Sequence, residues 1–119
     1  MNKSSFVSYV LRDAMQGVSG VTERAMFGGY GLYKDGVVFG IIADDELYFK
    51  VDEKNLLQYK ERGSQPFTYK GKNRKMIAMS YWEVPAEILE DREALVEWVD
   101  SSVAASRRKL RTRGTLDEK

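Results

Sequence analysis

The chain has no cysteine and no histidine among its 119 residues. Without thiols there can be no disulfide framework, no thiolate nucleophile and no thiolate metal site, a composition that suits a reducing compartment. Without imidazole it lacks the side chain best matched to proton transfer near neutral pH and the commonest zinc ligand. Charge of one sign is also lacking: 19 lysines and arginines face 18 aspartates and glutamates, a net charge of +1. Any attraction to nucleic acid or to an anionic membrane must therefore be local. Arg12 and Asp13 interrupt the N-terminal apolar residues before a signal-peptide core can form, and no apolar run approaches membrane-spanning length. The expectation is a cytoplasmic protein. A hydrophobic content of 43% supports one compact domain, which at this size buries roughly two thirds of its unfolded surface.

Local patterning organises that domain as α+β. Val7, Val10, Leu11 and Ala14 recur at helical spacing, with Asn2, Ser4 or Ser5 as an N-cap and Gly17 as a stop. After Gly20, short aromatic and β-branched runs are broken at Gly28-Gly29, Asp35-Gly36 and Asp44-Asp45, the signature of antiparallel strands and tight turns. Asp35-Gly36 is the strongest signal, because a type I′ turn needs positive φ at both central residues. A second helix is expected from an Asp52 N-cap to Gly63, then a hairpin from Phe67 to Trp82 turning near Gly71. Pro85 and Asp91 open the last helices, where Leu95, Trp98, Val99 and Val103 form an apolar stripe. Together these predict a sheet of about five or six antiparallel strands flanked by N-terminal, middle and C-terminal helices. The domain is expected to span 1–111, with 112–119 as a disordered tail.

Carrying the Asp35-Gly36 turn into a register pairs Lys34 with Val37, Leu32 with Phe39, Gly31 with Gly40 and Tyr30 with Ile41. A turn at Asp44-Asp45 sets Ile42 against Leu47, Ile41 against Tyr48 and Gly40 against Phe49. One face then collects Val38, Ile42, Leu47, Phe49 and Val51, with Gly31 and Gly40 leaving room for the Phe49 ring. The other face carries Tyr30, Leu32, Phe39, Ile41 and Tyr48 beside Lys34 and Lys50. The simpler expectation is that the chain's own helices cover this second face. Otherwise Tyr30, Leu32, Phe39, Ile41, Tyr48 and Lys50 are candidates for binding a protein partner or a second copy of the chain, since large apolar patches are uncommon on monomers.

Other constellations are weaker. The glycine-rich run from Met26 to Gly31 has neither dinucleotide-binding nor P-loop spacing, and a strand follows it. Tyr69, Lys70, Lys72, Arg74 and Lys75 make a basic hairpin tip that could contact phosphates in a salt-sensitive way, although a charged turn is also what solubility selects. The final helix begins with Glu90, Asp91 and Glu93 and ends with Arg107, Arg108, Lys109 and Arg111, as the helix dipole favours. Asp44, Asp45 and Glu46 sit in a turn, where acids are expected. No catalytic residue, metal ligand or cofactor is assigned. An enzyme built on an unfamiliar carboxylate or serine site stays open only if a polar pocket assembles.

Four runs, Arg24 to Tyr33, Leu47 to Glu53, Pro66 to Tyr69 and Ser80 to Pro85, occur here in the order in which they occur in the N-terminal domain of the TfoX/Sxy family. In combination they are specific, and the resemblance covers roughly Met1 to Arg108. It implies a helix-flanked antiparallel sheet similar to secretion-chaperone-like domains. It also implies a non-enzymatic role in transcription regulation during natural competence, as a coactivator that contacts a transcription factor such as the cyclic-AMP receptor protein. The full regulators carry a further C-terminal helical domain outside the resemblance. It supplies no catalytic residues and no cofactor.

Overall fold

The apolar spacing near the N-terminus becomes a two-turn helix, α1 (Ser5–Arg12), in the computed structural model, which describes residues 4–26, 28–70 and 76–117, with backbone alone at 69–70, 76–79 and 112–117. Ser4 is the cap: its Oγ accepts the Val7 amide at 3.1 Å. The same hydroxyl donates to the Asp45 carboxylate at 2.7 Å, tying the helix to a distant turn. Val7 and Val10 point inward, and a single 3₁₀ turn (Ala14–Gly17) carries the chain to the sheet.

Six antiparallel strands follow: β1 (Val21–Met26), β2 (Gly29–Lys34), β3 (Val37–Ala43), β4 (Glu46–Lys50), β5 (Pro66–Lys70) and β6 (Met76–Glu83). The first four form a meander. The order β1-β2-β3-β4-β6-β5 then inserts the last strand between β4 and β5. The β2–β3 turn has φ of 51° at Asp35 and 83° at Gly36, and the β3–β4 turn has 50° at Asp44 and 58° at Asp45. Both are two-residue connections with positive φ at each central position, the geometry that matches strand twist. The hairpin centred on Asp35-Gly36 is thus as the sequence predicts, and so is the whole β3–β4 register, Ile42 with Leu47, Ile41 with Tyr48 and Gly40 with Phe49.

The β2–β3 register departs from expectation one step beyond its turn. Lys34 pairs with Val37 and Tyr33 with Val38, but Leu32 pairs with Gly40, Gly31 with Ile41 and Tyr30 with Ile42. Phe39 is the extra residue of a β-bulge. A bulge turns two successive side chains of one strand to the same side, so Phe39 joins the face of Gly40 and Ile42. There its ring meets Phe49 edge to face, 5.5 Å between centroids. Fully burying such a ring contributes about 1.5–3 kcal/mol, against roughly 0.5–1.5 kcal/mol for one net hydrogen bond of a regular ladder. Side-chain burial outweighs regularity here. Leu32 and Phe39, expected on the second face, are both wholly buried in the core.

Gly40 is where the backbone must come close: a Cβ there would lie 2.8 Å from the Tyr48 carbonyl oxygen and 3.0 Å from Phe49 Cδ1. The expected relief for the Phe49 ring is real at this glycine. At Gly31 the space is taken instead by Met26 Sδ, 2.9 Å from a notional Cβ.

Asp52 does not cap the second helix directly. Its main-chain N–H donates to Asn55 Oδ1 at 2.8 Å and its carboxylate accepts the Lys54 amide, while Asn55 Nδ2 donates to the Lys50 carbonyl. This turn delays α2 to Leu56–Glu61. Gly63 at φ 75° ends it, with the Ser64 amide returning to the Tyr59 carbonyl. After β6, α3 (Ala86–Leu89) follows Pro85, and α4 (Arg92–Asp117) begins where the Asp91 carboxylate accepts the Ala94 amide. The α4 backbone continues past the residue-111 boundary placed from the loss of apolar periodicity. Arginine, lysine and leucine are good helix formers, and Gly114 alone opposes them strongly. Among the described residues, no helix is long and apolar enough to cross a membrane.

All four helices send their buried side chains to one cluster on one side of the sheet: Val10 from α1, Tyr59 from α2, Ile88 from α3, and Leu95, Trp98 and Val99 from α4. Tyr59 and Trp98 meet edge to face at 4.6 Å, and the Arg62 guanidinium lies over the indole at 5.2 Å. Farther along α4, Ser106 Oγ donates to the Val38 carbonyl. Arg108 clamps Asp52 with two hydrogen bonds, of 2.5 and 2.9 Å.

Trp98→Ala should lower unfolding free energy in urea by about 3–5 kcal/mol, because it empties a buried ring site that also supports Tyr59. Asp52→Asn should cost on the order of 1 kcal/mol near neutral pH, the discount for a pair that still touches water being included. The hydrogen bond from Arg108 holds the Asp52 carboxyl below its usual range. Its stabilisation is therefore complete above about pH 5 and fades as pH falls through the lowered folded value. Wild-type and variant unfolding curves should converge in acid.

Candidate functional site

With Leu32 and Phe39 drawn into the core, the opposite face of the sheet is defined by strand parity. Ile41 and Tyr48 are paired on it, Tyr48 stands opposite Glu83, and Lys50 opposite Tyr81. Tyr33, Ile41, Tyr48, Phe67 and Tyr81 are all half-buried. Tyr48 and Phe67 meet edge to face with centroids 5.0 Å apart, although their strands are not neighbours. At the β1 side the Arg24 guanidinium lies 5.5 Å above the Tyr33 ring, a cation–π contact. The described helices deliver their apolar residues to the other side, so the expectation that they cover this face is corrected.

Of the predicted partner-binding set, Ile41 and Tyr48 lie on this open face. Tyr30 pairs with Ile42 and packs at the margin of the core. Lys50 is buried, its Nζ donating to Ser80 Oγ at 2.7 Å and lying 5.0 Å from the Tyr81 ring centroid. Phe67 and Tyr81 were missed because parity on β5 and β6 has no meaning until those strands are placed beside β4, and Tyr33 because the β2–β3 register shifts next to it. Tyr69 and Lys70 close β5, but their side chains lie outside the described residues, as do Lys72, Arg74 and Lys75 altogether.

The electrostatics of the face favour the neutral phenols of Tyr48 and Tyr81. Burial, then the carboxylates of Glu46, Glu83 and Asp44, push the Tyr48 hydroxyl above its ordinary pKa. Burial, then the nearby Tyr33, does the same for Tyr81. Such a surface presents ring faces with hydroxyl tips, able to bury apolar area while hydrogen-bonding at its edge. Across the sheet edge, a cleft of about 340 Å³ gathers Ser4, Tyr30, Ile42, Asp44 and Asp45. Ser4 is already engaged there on both sides, accepting from Val7 and donating to Asp45. Among the described residues, no group of three or more aspartates and glutamates is arranged to hold a metal ion.

Comparison with known proteins adds a family. Residues 13–106 match the TfoX N-terminal domain, and the chain belongs to that family. It is also similar to Protein Sxy of Escherichia coli (strain K12), 28% identical over 94 residues. That match covers 79% of this chain and 44% of the relative, so the chain corresponds to less than half of the relative's length.

The two faces should separate cleanly on mutation. Leu32→Ser or Phe39→Ser, which put a hydroxyl and a cavity into the core, should cost at least about 4 kcal/mol. Ile41→Ser or Tyr48→Ser should each cost less than about 2 kcal/mol and leave the circular dichroism spectrum unchanged. Equal losses at all four positions would contradict the assignment of faces.

Proposed function

We propose, taking membership of the TfoX N-terminal domain family as the premise, that this chain is a non-enzymatic interaction module that docks a regulatory protein on the open sheet face. The observation that carries the reading is the aromatic surface of Tyr33, Tyr48, Phe67 and Tyr81 around Ile41, turned away from the core that the helices serve. Tyrosine and phenylalanine supply large contact area at small entropic cost, and a half-desolvated cluster of them is the composition of an interface centre. The partner class follows from the family: a transcription factor such as the cyclic-AMP receptor protein, with the domain acting as a coactivator. An apolar centre with hydroxyl tips suits a partner surface that is itself apolar and rimmed by hydrogen-bonding groups.

The test uses purified cyclic-AMP receptor protein and the full chain in biolayer interferometry. Ile41→Ser/Tyr48→Ser, a pair that keeps the core intact, should weaken association at least tenfold, mainly through a faster off-rate. Association equal to wild type by the folded double variant rejects this face as the contact. Sedimentation of both proteins over a concentration series separates hetero-association from pairing of two copies of the chain.

A further inference from the structure

The junction where β4 runs into the α2 turn and passes under α4 has a chemistry that the docking reading does not use. A cavity of about 660 Å³ there is lined by five cations, Lys50, Lys54, Arg108, Lys109 and Arg111, and by two carboxylates, Asp52 and Glu53. Asp52 is committed elsewhere: Arg108 donates to both of its oxygens and the Lys54 amide to one of them. Glu53 is exposed. Among the described residues, the ion pairs are Arg62 with Glu87 and Arg108 with Asp52, and neither takes up Lys50, Lys54 or Lys109.

Lys50 is the unusual member. It is only 9% exposed, a degree of burial rare for lysine without an acidic partner. Its ammonium has the Ser80 hydroxyl at 2.7 Å and the Tyr81 ring at 5.0 Å, but among the described residues it forms no ion pair. Ser80 Oγ accounts for one of its three N–H donors. Lys109 lines the same cavity and also a smaller one, of about 170 Å³, that it shares with Lys50, Val38 and Ser106. Lys50 is buried and Lys109 exposed, yet both line one recess, and an oxyanion between the two ammonium groups would offset their repulsion.

We infer that this recess binds the phosphoryl group of a small phosphomonoester, held by the ammonium groups of Lys50 and Lys109 with Lys54 at its rim. A terminal phosphate reaches a recessed cation, whereas the continuous backbone of a nucleic acid follows an exposed groove, and the chain's net charge of +1 gives a polyanion no long-range attraction. The cavity exceeds the size of inorganic phosphate, leaving room for the organic part of the ligand. Burial and the neighbouring Lys109 both lower the Lys50 pKa, only partly offset by Asp52, and a bound dianion would reverse that direction. The recess adjoins the docking face at Tyr81, 5.0 Å from Lys50 Nζ, but the two are tested apart: its variants are on Lys50 and Lys109, whereas Ile41 and Tyr48 test the other.

Titration calorimetry on the full chain at constant ionic strength, with inorganic phosphate and then adenosine 5′-monophosphate as probes and chloride as the balancing salt, examines this directly. Saturable binding is expected, weakened about tenfold or more by Lys50→Met and by Lys109→Ala. Lys60→Met, on the exposed side of α2, should leave it unchanged. Lys109 is exposed, so its variant remains informative even where Lys50→Met perturbs folding. Carbon-13 NMR of the lysine ε positions should show the Lys50 titration moving to higher pH with phosphate present. Three results would overturn the inference: no saturable binding of either probe, equal weakening by Lys60→Met, or binding of a thymidine oligonucleotide without binding of the monoester.

Discussion

The burial of Phe39 against Phe49 settles which side of the sheet is inside. A single extra residue in β3 lets both Phe39 and Gly40 address the helices, and it shifts every β2 partner beyond it by one position. Because side chains alternate along a strand, such a shift moves a whole set of residues from one face to the other. Leu32 thereby becomes core, Tyr33 joins Ile41 on the open face, and Gly31 faces Met26 instead of Phe49. The place of Tyr33 in the aromatic surface therefore depends on the packing of one ring.

The long C-terminal helix is held at two levels. Near its start the holding is apolar, with Leu95, Trp98 and Val99 inserted among Tyr59 and the sheet residues. Near residues 106–108 it is polar, through Ser106 on the Val38 carbonyl and Arg108 on Asp52. The polar tether fixes Lys109 beside the end of β4, and so sets it against Lys50. The run of arginines and lysines at 107–111, expected at the end of the helix, lies inside α4 and is given a local partner in the fold. The recess owes its shape to the tether and its charge to this stretch of α4 together with Lys50 and Lys54.

The family relationship and the geometry bear on function at different levels. Matching the TfoX N-terminal domain over residues 13–106 establishes ancestry, and the covered part of Protein Sxy is less than half of that protein. A shared domain does not transfer a whole protein's activity, because function resides in sites placed on folds. What this chain's own structure adds is an aromatic face on one side of a six-stranded sheet and a cationic recess at one end of it.

Local chemistry was legible from the residues alone. The Asp35-Gly36 turn, the β3–β4 register, the Gly63 stop and the apolar stripe of the last helix each depend on neighbours within a few positions, and each is found as read. The bulge was not legible, because its gain comes from a ring meeting helices and strands distant in sequence. Nor was the contribution of β5 and β6 to the open face, since Tyr48 and Phe67 are brought together only by a strand order that separates sequence neighbours. Lys50 reads as a wet strand lysine and becomes a buried one because Ser80, Tyr81 and Lys109 converge on it from remote elements. Sequence decided where the chain turns and which segments are helical, as those are contests among neighbouring residues. Tertiary structure decided which faces are inside and which charges meet, as those depend on the burial of side chains far apart along the chain.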